Sequence, residues 1–200
     1  MIATSFSSTA NGAPSPWVAR FAPLIPAGGA VLDLACGSGR HSRLLAGRGH
    51  PVWAVDRDSE ALAGLAGAAE VTGISGITPL AADLEGPLDA PWPLAGRRFA
   101  GIVVTHYLHR PRLPDLAALL ATPGVLIYET FMVGNERFGK PSRPDFLLQP
   151  QELLRWAQSQ GWRVAAYEEG EVGGAQEAQG QRPAMLQRLC AVAGDLPVRL

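Results

Sequence analysis

The sequence predicts an α/β protein built on a mostly parallel sheet with helices packed against it, and three observations predict it. Apolar runs of strand length alternate with helical stretches, as expected where each parallel strand is followed by a crossover helix. The run Val31-Leu32-Asp33-Leu34-Ala35 passes straight into Cys36-Gly37-Ser38-Gly39, a buried strand entering a glycine turn. The last two strand-like segments, 163–167 and 185–192, are joined by 170–183, a flexible linker by composition. Neighbouring strands joined without a helix are antiparallel, so this final pair departs from the parallel pattern.

The elements follow in order. Residues 17–24 read as a short helix, closed by Pro26 and Gly28-Gly29, and 31–35 as the first strand. The helix at 40–46 starts from the glycine turn and ends near Gly47 or Gly49. Residues 52–55 form a second strand ending on Asp56, after which Asp58 or Ser59 caps a helix to about Ala69. A third strand at 77–81 ends near Asp83, and the Pro-rich stretch 86–96 is loop by composition. Residues 99–105 form the fourth strand, 113–120 a helix and 125–131 the fifth strand. The polar segment 133–149 carries Gly, Pro and charges without periodicity, the composition of a lid or binding loop. Pro150 opens a helix to Gly161, with Leu153, Leu154, Trp156 and Ala157 on its apolar face.

Two hundred residues fit one domain, here 17–200 behind a flexible N-terminal segment at 1–16. A 47% apolar and 18% charged composition is that of a globular chain. The net charge of −1 supplies no field to draw the chain onto nucleic acid or an anionic membrane. No window reaches the roughly 18–20 apolar residues of a membrane span, and the N-terminus lacks a basic segment and an apolar run. Cys36 and Cys190 form neither a metal nor a disulfide pattern. A reducing cytoplasm is therefore the expected setting, with no metal and with the oligomeric state left open.

The acid in the first strand discriminates between ligands. A strand entering a pyrophosphate-binding turn has little reason to place a carboxylate beside phosphates, whereas a ligand with a free amino group suits Asp33. That favours S-adenosyl-L-methionine over a dinucleotide. The third glycine of G-x-G-x-x-G is also missing, since Ser42 stands three after Gly39. Gly37 and Gly39 let backbone approach a ligand closely. Asp56, at a strand's carboxyl end, is placed to accept hydrogen bonds from a ribose diol.

Residues 31–39, with Asp56 after the second strand and Ala82-Asp83-Leu84 after the third, resemble the class I S-adenosylmethionine-dependent methyltransferases over roughly 17–192. The resemblance implies a Rossmann-like three-layer sandwich whose seven-stranded, mostly parallel sheet has the order 3-2-1-4-5-7-6, with strand 7 antiparallel. It implies S-adenosyl-L-methionine as cofactor and in-line methyl transfer, and a compact single domain with a net charge near zero suits a small-molecule acceptor. A cofactor site of Asp33, Ala35, Cys36, Gly37, Gly39, Arg40, Asp56, Arg57, Asp83, Leu84 and Thr105 follows, with Arg57 flanking the adenine and Asp83-Leu84 at its edge. Ala35 stands where the family most often has glycine.

A looser resemblance, to small bacterial enzymes of the tellurite-resistance (TehB-like) type, rests on 37–41, 106–111 and 128–131. It suggests a tellurium, selenium or sulfur nucleophile. His106 and Tyr107 are the expected catalytic pair, with His106 the candidate base, and His109, Glu129, Arg137 and Phe138 are the expected acceptor contacts. Thr105-His106-Tyr107-Leu108 replaces the Asn/Asp-Pro-Pro-Tyr/Phe motif of enzymes that methylate amino groups of DNA or glutamine. A non-catalytic S-adenosylmethionine binder and an NAD-dependent oxidoreductase remain as other readings.

Overall fold

The computed structural model describes residues 12–173 and 182–197. Ser15 caps the first helix, α1 (Pro16–Phe21), its hydroxyl oxygen accepting the Trp17 N–H at 3.2 Å, and Pro16 occupies a first-turn position that needs no donor. A 3-10 turn at Ala22–Leu24 leads to β1 (Val31–Leu34), α2 (Arg40–Ala46), β2 (Val52–Asp56), α3 (Ser59–Thr72) and β3 (Ile77–Ala81). Then come β4 (Phe99–Thr105), α4 (Leu113–Leu119), β5 (Leu120–Phe131), α5 (Glu152–Ser159), β6 (Arg163–Val172) and β7 (Ala184–Ala193).

These strands form one sheet in the order β3-β2-β1-β4-β5-β7-β6. The first five pair in parallel, and β7 runs antiparallel to both β5 and β6. Successive strand residues point to opposite faces, which divides the core in two. Leu32, Leu34, Ile102, Val104, Leu126 and Leu189 pack on one face with Leu116 of α4 and Leu153 of α5. Val31, Val103, Ile127, Cys190 and Val192 pack on the other with Trp17, Phe21 and Leu45. The result is the expected three-layer α/β sandwich. All the parallel strands, and β6, end at the same rim of the sheet, the crevice where open α/β sheets bind ligands.

Several boundaries differ from the sequence reading. The α4 helix stops at Leu119, and β5 starts at Leu120 instead of Val125. The α5 helix begins at Glu152, two residues past Pro150, because Gln151 takes φ +59°. Gly170, expected in the linker, extends β6, while 174–181 fall outside the described residues. Of the N-terminal segment, 1–11 also fall outside; Ser15 is buried, and the Ala13 carbonyl accepts from Arg40 Nη1 at 3.4 Å. The Pro-rich stretch is irregular as expected, yet it seats Trp92 and Leu94 in the core.

Segment 133–149 holds two 3-10 turns, Asn135–Arg137 and Pro144–Phe146, and is pinned from several sides. Arg110 donates to the Asp145 and Leu147 carbonyls at 2.8 and 2.7 Å while pairing with Glu152 at 2.6 Å. Asn135 is buried, donating to the Pro141 carbonyl and accepting the Met185 N–H. Among the described residues no helix is long and apolar enough to cross a membrane.

Candidate functional site

The glycine turn after β1 is left-handed at three positions, Ala35 (φ +55°), Gly37 (φ +53°) and Gly39 (φ +74°). At Gly37 a Cβ would meet nothing within 4 Å, so the turn's backbone faces open space. At Gly39 a Cβ would stand 2.5 Å from the Leu65 side chain, so glycine there also lets α3 pack close. Ala35 holds the left-handed conformation against its own Cβ, which costs an L-residue about 1–2 kcal/mol. Glycine gives part of that back as chain entropy. Ala35→Gly is therefore expected to raise stability by about 0.5–1 kcal/mol, read as a higher urea midpoint. A lower midpoint would mean that the methyl's packing outweighs the strain.

Asp56 ties this turn to the next strand. Its Oδ2 accepts the Gly37 N–H at 2.8 Å and its Oδ1 the Asp58 N–H at 3.0 Å. A carboxylate has about four acceptor positions, so each oxygen keeps capacity for a further donor. Asp58 caps α3, its Oδ1 accepting the Glu60 and Ala61 N–H groups at 3.0 Å. Asp33 is 1% exposed and accepts the Ser42 hydroxyl at 2.6 Å. Burial pushes its pKa up to about 6, with the Ser42 bonds acting against that rise. Asp83 is exposed beyond β3, accepting the Glu85 N–H at 2.9 Å, while the Leu84 side chain is buried and Arg57 is exposed. Cys36 packs its thiol with Ala54, Leu62 and Leu65, which leaves only its backbone for a ligand.

His41, absent from the expected site, closes the near side of the crevice. Its Nε2 accepts the Ser15 N–H at 3.1 Å, and its Nδ1 lies 3.5 Å from Thr105 Oγ1. Burial lowers its pKa to about 3, so the ring is neutral. A neutral ring accepting at Nε2 carries its proton on Nδ1 and directs it at Thr105.

Beyond β4, His106 takes φ +54°, and its N–H donates to the Glu129 carbonyl at 2.8 Å. Its ring stacks on Phe131 with centroids 4.9 Å apart. Solvent reaches the ring, yet the surrounding protein lowers its pKa, chiefly by desolvation, with Arg40 and Arg188 adding and Glu129 opposing. His106 is therefore neutral at neutral pH. Glu129 is held by Arg188, whose Nε donates to its Oε2 at 2.7 Å, and Arg188 Nη1 lies 3.6 Å from Glu168.

Four expected residues, Tyr107, His109, Arg137 and Phe138, have side chains that stand apart from the His106 ring. Tyr107 follows His106 but turns to the opposite face, where it lines a small cavity with Leu34, Trp92, Arg112 and Tyr128. His109 lines the same cavity. Arg137 pairs with Glu171 at 3.0 Å and stacks on Phe138 at 4.7 Å. Glu171 is opposite Met185, whose side chain packs on the face away from Glu129, so Arg137 and Phe138 do not meet His106. Tyr107 and His109 lie in the loop after β4, and Arg137 and Phe138 in segment 133–149; the left-handed backbone at His106 turns Tyr107 to the Leu34 face, within charge range of Asp83, Glu85 and Arg57. Glu129 does sit in the crevice, engaged in an ion pair instead of standing free for a ligand. Among the described residues no group of three or more His, Cys, Asp or Glu is placed to hold a metal ion.

Residues 31–122, just under half of the chain, match the family described as a methyltransferase domain. TehB from Haemophilus influenzae is similar in structure, with a TM-score of 0.69 and 21% identity over 88% of this chain, which spans 61% of the length of that protein. A SAM-dependent methyltransferase from Aquifex aeolicus gives 0.61 and 17%, covering 88% of this chain and 89% of that one. Magnesium protoporphyrin IX methyltransferase from Synechocystis PCC 6803, with bound SAH, gives 0.62 and 18%, covering 89% and 78%. No curated protein matches the sequence. The chain thus resembles the class I S-adenosylmethionine-dependent methyltransferases in fold and, over its first four strands, in its family match.

Proposed function

We propose that this protein binds S-adenosyl-L-methionine across the carboxyl ends of β1, β2 and β3 and methylates a small-molecule acceptor held beyond β4 and β5. The observation that carries this reading is the Asp56 carboxylate 2.8 Å from the Gly37 N–H, beside a turn with open space above it. That arrangement suits a ligand with both a ribose diol and an amino-acid end. Asp33, ionised at neutral pH, supplies the negative charge for the ammonium, directly or through water. Gly37 lets the chain pass close, and Asp56 accepts from the ribose hydroxyls. When bound, the cofactor supplies a methyl group already activated by its sulfonium, so the reaction is an in-line displacement. The protein's remaining tasks are to position the acceptor, exclude water and take up any proton the acceptor releases. We assign that last task to neutral His106.

Calorimetric titration with S-adenosylhomocysteine tests the reading. Asp56→Ala removes a charged acceptor worth roughly 1.5–3 kcal/mol per bond, so affinity is expected to fall about ten- to a hundredfold or more. If S-adenosylhomocysteine fails to bind and NAD(H) binds instead, the reading is wrong. The pH dependence adds a second check. Asp33 has its pKa raised to about 6, so it loses its charge as pH falls through that value. Affinity is therefore expected to drop by up to about tenfold per pH unit below pH 6, as each unit removes that much of the ionised form. Asp33→Asn should bind weakly with no such dependence.

A further inference from the structure

On the face that carries His106 and Phe131, one row of polar side chains crosses the sheet. The register sets Thr105 beside Glu129, Glu129 beside Arg188, and Arg188 beside Glu168, one residue from each of β4, β5, β7 and β6. The row starts under His106 and ends in an open groove of about 260 Å³, whose walls include Glu168, Gly170, Val172, Leu186 and Arg188. Phe131 stands opposite Leu186, so apolar surface runs from the histidine ring toward this groove.

The charges along the row are unequal. Arg188 lies between two carboxylates, 2.7 Å from Glu129 and 3.6 Å from Glu168. Glu129 is 4% exposed and is neutralised by the arginine, whereas Glu168 is 53% exposed and makes only the longer contact. The other acids at the groove are engaged: Glu169 accepts from Tyr167 and from the Gln151 N–H, and Glu171 pairs with Arg137. An anionic guest would meet Glu168 before it met a guanidinium already holding two carboxylates. A cationic guest would meet a carboxylate with unused acceptor capacity.

Resting on the methyltransferase reading, we infer that Glu168 is the specificity residue for a cationic group at the far end of an elongated acceptor. The acceptor's reactive end lies at His106 and its apolar body on Phe131 and Leu186. His106 follows β4 and Glu168 lies on β6, three strand spacings away, so the cation sits about 14 Å from the reactive atom. An acceptor carrying an ammonium group at that distance fits better than the compact chalcogen nucleophile of the looser sequence resemblance.

The test is titration of 4-phenylbutylamine and of 5-phenylpentanoate, matched in body and opposite in charge, onto the free and the S-adenosylhomocysteine-saturated protein. The amine is expected to bind about tenfold more tightly than the acid, the difference one charge-assisted contact makes. In Glu168→Gln the preference should disappear, with S-adenosylhomocysteine affinity and melting temperature unchanged, and Glu168→Asp should restore part of it. Equal or tighter binding of the acid, a preference that survives in Glu168→Gln, or no saturable binding of the amine overturns the inference. Failure of S-adenosylhomocysteine to bind would overturn the cofactor reading instead, and the free-protein titrations would still report the charge preference.

Discussion

Replacing Arg188 with leucine is expected to lower the free energy of unfolding by about 3–5 kcal/mol, the usual result of leaving a buried charge unpaired. Glu129 lies on a central strand with its side chain 4% exposed, and the Arg188 Nε–H at 2.7 Å is the charged partner that offsets its desolvation. A domain of this size has a total stability of about 5–15 kcal/mol, so the loss is large enough to read directly from urea unfolding. Removing both partners, Arg188→Leu with Glu129→Leu, should recover most of the stability, since an apolar pair of similar volume is often no worse than a buried ion pair. A single variant that loses less than about 1 kcal/mol would mean that Glu129 has a second compensating group.

That pair also marks where sequence reading stopped. The turn and its acids were legible because each is local: a strand, a bend and a carboxylate within a few residues. Asp33, Gly37, Gly39 and Asp56 therefore stand together at the rim as expected. The order of the strands came from resemblance, not from periodicity, and the sheet has that order. Arg188 had no such local sign. It is one polar residue in an alternating strand, and its partner stands 59 positions away. His41 stood in the 37–41 stretch of the looser resemblance without a role, because only the fold brings Ser15 and Thr105 to its ring. Tyr107 shows the opposite error. Proximity in sequence put it beside His106, and the left-handed backbone at His106 turns its ring to the Leu34 face instead. Trp92 and Leu94 were missed because a Pro-rich composition describes backbone habit and says nothing about which side chains plug the core.

His106→Asn is expected to lower kcat about 10²- to 10⁴-fold on any acceptor that must lose a proton, the range for removal of a general base. Asparagine is the informative replacement, because it tolerates the left-handed φ of +54° that His106 adopts. A rate loss then reports the missing ring, and S-adenosylhomocysteine affinity should stay within about twofold, as expected for a group outside the cofactor's bonds. The pH profile carries the second half of the argument. Desolvation, aided by Arg40 and Arg188, holds the His106 pKa below the ordinary histidine value, so the ring stays unprotonated further into acid. In the wild type the acid limb of kcat/KM should accordingly fall below pH 6.5. A drop in kcat smaller than about tenfold, with the limb unmoved in the variant, would make His106 a wall of the site. The acceptor would then arrive already deprotonated, and catalysis would rest on placement alone.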